Sequence, residues 1–71
     1  MTIIEAMARV TADKPYIQCA TQAASGIKLK PIFTETGAIP SEFEVYEKGI
    51  CINKHYRVKP YELQQSWKAV K

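Results

Sequence analysis

The chain has 71 residues, 46% apolar and 24% charged, with a net charge of +3 and a pI near 9.0. That balance suits a folded domain and excludes a disordered or low-complexity chain. One domain, 1–71, buries only about 60% of its unfolded surface, so its small core calls for a staple.

Thr2-Ile3-Ile4-Glu5 reads as a capping box, in which the Thr2 hydroxyl and the Glu5 carboxylate each satisfy a backbone N–H of the other residue. Ile3, Met7 and Val10 follow at helical spacing, with Ala6 beside them. Glu5 and Arg9 form an i, i+4 pair. The helix should end near Ala12, because Pro15 cannot continue it and disfavours the α region at Lys14. Tyr16–Gln22 alternates and predicts a strand, followed by a turn over Ala23–Gly26.

Ile27–Phe33 predicts a second strand, with Ile27, Leu29 and Phe33 inward and Lys28 and Lys30 outward. Pro31 lacks a ladder donor, which suggests an edge position or a bend. Thr34–Ser41 is expected to be a loop, a candidate flap. Residues 42–54 predict a hairpin turning at Lys48-Gly49, with Phe43, Val45, Ile50 and Ile52 inward. Its second strand can run on to Val58. Lys59–Gln65 suits a short helical turn with Pro60 at its first position, and Ser66–Val70 a closing strand. The expected class is α+β: an N-terminal helix on an antiparallel sheet of four to five strands, with a short helical turn before the last.

Cys19 and Cys51 form no CxxC motif, and one His is too few for a zinc site. Each Cys falls in a predicted strand, where a small buried thiol is expected rather than a bridge. Association with further copies of the chain is therefore the expected staple. No signal-peptide pattern and no apolar run of about 20 residues is visible, so the chain is expected to be soluble and cytoplasmic.

An enzyme is not expected. Cys51 and His55 would lie about 13 Å apart along one strand. Nothing visible activates a Cys19–His55 pair, and Glu42 and Glu44 read as solvated carboxylates. Gly26, Gly37 and Gly49 are isolated, so no phosphate-cradling loop is present. No cofactor is expected. The binding candidate is Lys54-His55-Tyr56-Arg57-Val58-Lys59-Pro60-Tyr61. Lys54, Arg57 and Lys59 could meet phosphates, and Tyr56 or Trp67 could stack on a base. The simpler reading puts Tyr56 and Trp67 in the core.

Two segments resemble small phage and prophage proteins of the Thoeris anti-defence type. They are Ile3-Ile4-Glu5-Ala6-Met7 and Leu63-Gln64-Gln65-Ser66-Trp67-Lys68-Ala69-Val70. The likeness covers about a third of the chain. After the first helix that family carries Gly-Lys and then a Trp-containing pattern, where this chain has Asp13-Lys14-Pro15-Tyr16. No ligand contacts are carried over there. The resemblance implies a non-enzymatic homo-oligomer that sequesters a cyclic nucleotide-derived immune signal and so counters bacterial defence. The alternative is a small phage regulator that binds nucleic acid or a host protein through the basic-aromatic stretch. No membrane partner is expected.

Overall fold

Helix α1, Ile3–Ala8, opens on the expected capping box. Thr2 Oγ1 accepts from Glu5 N at 3.2 Å, and Glu5 Oε1 accepts from Thr2 N at 3.0 Å. Ala6 and Met7 are buried, with Ile3 and Val10 packed beside them. The helix stops four residues earlier than Ala12, at a turn in which Thr11 and Lys14 exchange backbone bonds and Lys14 N also donates to Thr11 Oγ1. The structure, a computed structural model, describes residues 1–32 and 42–71. The expected inward Phe33 and the 34–41 loop lie outside the described residues.

Strand β1, Tyr16–Cys19, is shorter than its alternation suggested, because Ala20–Ser25 forms a helix, α2. The expected strand end and turn over these residues are corrected accordingly. Cys19 N donates to Gln22 Oε1 at 3.3 Å, so the third helical residue reaches back to the helix start. Gly26 closes the helix at φ +74°, a conformation that favours glycine. Strands β2 (Ile27–Pro31), β3 (Phe43–Glu47) and β4 (Ile50–Tyr56) follow, then helix α3 (Pro60–Leu63) and strand β5 (Trp67–Val70). The five strands form one antiparallel sheet in the order β4-β3-β2-β1-β5, and the molecule is a small α+β domain.

Strand β2 is interior, so Pro31 does not mark an edge. Pro31 is the last residue of β2 and pairs with Phe43 on one side. Extending the Ile17–Leu29 register sets it opposite Pro15, before β1 has begun, so no β1 bond is forfeited there. The β3–β4 hairpin turns on Lys48 and Gly49, both at positive φ (52° and 81°), as a type I′ turn requires.

The register of that hairpin shifts twice, and this moves two residues from where alternation placed them. Tyr46 faces Cys51 but Val45 faces Asn53, which leaves Ile52 as an extra, unpaired residue. Ile52 is 57% exposed, and Ile50, opposite Glu47 at the hairpin tip, is 67% exposed. Neither faces the core as expected. The second shift returns Tyr56 to the core side opposite Phe43.

The core lies on one sheet face: Ile17, Cys19, Leu29, Phe43, Val45 and Trp67, covered by Ala6 and Met7 of α1. Both cysteines are free. Cys19 is in this core, whereas Cys51 pairs with Tyr46 on the opposite face. Among the described residues no helix is long and apolar enough to cross a membrane.

Candidate ligand-binding site

The aromatic residues of the expected binding stretch are built into the fold. Trp67 is 2% exposed and its Nε1–H donates to the Glu62 carbonyl at 2.9 Å. Its ring lies in the core, the simpler of the two roles considered for it. Tyr56 packs against the core, and its hydroxyl donates to Glu62 Oε1 at 2.5 Å. Glu62 Oε1 also accepts from Lys59 N at 3.0 Å, and Oε2 accepts from Gln22 Nε2 at 2.9 Å.

Glu62 is therefore a buried carboxylate with its partners in place. Burial pushes its carboxyl upward. The Tyr56 hydroxyl, the Lys59 N–H and the Gln22 amide more than offset that and hold it below the usual value. The same burial, together with the Glu62 charge, raises the Tyr56 phenol well above its usual value. This cluster is held internally and offers no open position.

Lys54, Arg57 and Lys59 are exposed, as are His55 and Tyr61. His55 Nδ1 lies 3.0 Å from Glu42 Oε2. Lys54 sits on β4, one edge of the sheet, and Arg57 and Lys59 lie in the crossing that follows it. These cations are solvent-exposed, and neither of the two clefts described below includes them.

The convergence of positive charge occurs at the opposite edge, beside β5. A cleft of about 600 Å³ is lined by Arg9 from the end of α1, Thr11, Asp13 and Lys14 from the following turn, and Lys68 and Ala69 from β5, with Met1 at its rim. Three cations face a single carboxylate. The backbone adds a donor. Trp67 N–H points away from β1 and donates to Met1 O at 2.8 Å. Strand alternation then aims the Ala69 N–H outward on the same side. A second cleft, about 390 Å³, is lined by Gln18, Cys19, Ala20, Ala23, Ser66 and Trp67 and shares Lys68 with the first. A cleft of this size with converging cations and an outward N–H is suited to an anionic small molecule.

Sequence reasoning missed this site because Arg9, Lys14 and Lys68 come from three separate segments. Among the described residues no group of three or more metal-ligating side chains gathers. Comparison with protein-family models, curated proteins and solved structures finds no match for this chain.

Proposed function

We propose that the protein is a small non-catalytic binding protein whose ligand is a phosphate-bearing, nucleotide-like molecule held beside β5. The reading rests on the cleft in which Arg9, Lys14 and Lys68 converge with the outward Ala69 N–H. The three cations neutralise phosphate charge, and the neighbouring cleft at Lys68 has room for a base or ribose. The protein acts by holding the molecule rather than changing it, and it does so as a homo-oligomer, since a core this small benefits from a partner copy. The resemblance at Ile3–Met7 and Leu63–Val70 makes a cyclic nucleotide-derived immune signal the natural ligand class, and sequestration of that signal from bacterial defence the natural role.

Thermal unfolding with a panel of cyclic mono- and dinucleotides tests this. Ligand at 100 times its dissociation constant adds about 2.7 kcal/mol, which raises Tm by roughly 10 °C or more in a domain this size. Arg9→Gln with Lys14→Gln should remove the rise, and Lys54→Gln with Lys59→Gln should keep it. No rise across the panel at millimolar ligand would refute the reading.

A further inference from the structure

The sheet face opposite the core carries no described helix. The strand registers place on it Lys68 and Val70 of β5, Tyr16 and Gln18 of β1, Lys28 and Lys30 of β2, Glu44 and Tyr46 of β3, and Cys51 of β4. At its centre the Tyr16 and Tyr46 rings meet edge to face, with centroids 5.2 Å apart. Lys28 Nζ stands 4.2 Å from the Tyr16 ring centre and donates to the Lys71 carbonyl at 2.7 Å. The Tyr46 hydroxyl donates to Glu44 Oε1 at 3.3 Å, which fixes its ring. Lys30 and Lys68 are exposed. Three lysines thus flank an aromatic pair, against one carboxylate.

We infer that this open face binds single-stranded nucleic acid. A pleated face supplies what a single strand needs: rings at fixed height on which bases can stack, with cations to either side for the backbone. The charge balance favours a polyanion, and a stacking contact needs no particular base, so binding tolerates sequence. Duplex hides its base faces and gains only the lysine contacts. The open face shares Lys68 with the cleft beside β5, but that cleft lies at the edge of the sheet and draws Arg9 and Lys14 from outside this face.

Fluorescence anisotropy with a labelled oligothymidylate tests it. Saturable binding is expected, weakening with salt on a logarithmic slope near −2 if Lys28, Lys30 and Lys68 each meet one phosphate, at about 0.7 per contact. Tyr46→Leu should cost roughly tenfold in affinity, while Tyr46→Phe, which keeps the ring, should bind as the parent does. Lys30→Gln should lower both affinity and slope. Arg9→Gln with Lys14→Gln should leave oligothymidylate binding unchanged, which separates this site from the nucleotide cleft. Binding that is absent, or that Tyr46→Leu leaves intact, would overturn the inference.

Discussion

Glu62 shows how one side chain can fix several parts of a small domain. Its carboxylate accepts from Tyr56, from the Lys59 backbone and from Gln22, while its carbonyl accepts from Trp67. A carboxyl held below its usual value stabilises the fold above that usual value and loses the contribution as pH falls through the lowered one. The raised Tyr56 phenol works in the other direction: its contribution is complete below about pH 10, the usual phenol value, and is lost as pH rises through the raised one. Stability should therefore be flat through neutrality and fall at both extremes. Glu62→Gln should cost about 1–3 kcal/mol at neutral pH, because buried partners lose a charged acceptor, and should shrink the acid-side loss; denaturant melts across pH check both. Lys48 makes a contrasting case. It holds φ 52° at the hairpin turn, where Asn-Gly is the favoured pair. Lys48→Asn should raise Tm by a few degrees.

The elements divide by whether their causes are local. Helix α1 was legible because Thr2 and Glu5 lie three apart and the apolar spacing follows at once. Thr2→Ala should cost about 1 kcal/mol, measurable as a drop in Tm. The hairpin turn was legible for the same reason, and so was α3, which starts at Pro60. Helix α2 was not. Its first residues continue the alternation of β1, and its N-cap is Cys19 rather than a Ser or Thr. The buried partner of Gln22 is Glu62, 40 residues further on. Ile50 and Ile52 were misplaced because alternation assumes an unbroken register, and β4 carries two shifts. The cleft beside β5 was hidden in the same way: Arg9, Lys14 and Lys68 are brought together only by the pairing of β1 with β5.

At the scale of the molecule, Trp67 bears a large share of a small core. Removing such a ring costs about 3–5 kcal/mol, comparable to all that a single core of this size supplies. Trp67→Ala should give no cooperative unfolding transition by circular dichroism. Seven large apolar side chains are substantially exposed among the described residues, Ile50 and Ile52 the furthest. A homo-oligomer that covers some of them should appear as a multiple of the 8.0 kDa chain mass in native mass spectrometry, and a single-chain mass at micromolar concentration would remove that part of the proposal.

The tie between the first residues and β5 also sets the order in which the molecule can be made. Met1 O accepts from Trp67 N, Met1 N donates to Ser66 Oγ, and β1 is flanked by β5. Helix α1 therefore waits for β5, which follows it by some 60 residues, before it has a sheet edge to rest on. A nascent chain arrested before Trp67 emerges should remain protease-sensitive throughout α1 and β1, and protection should arrive in one step once β5 is out.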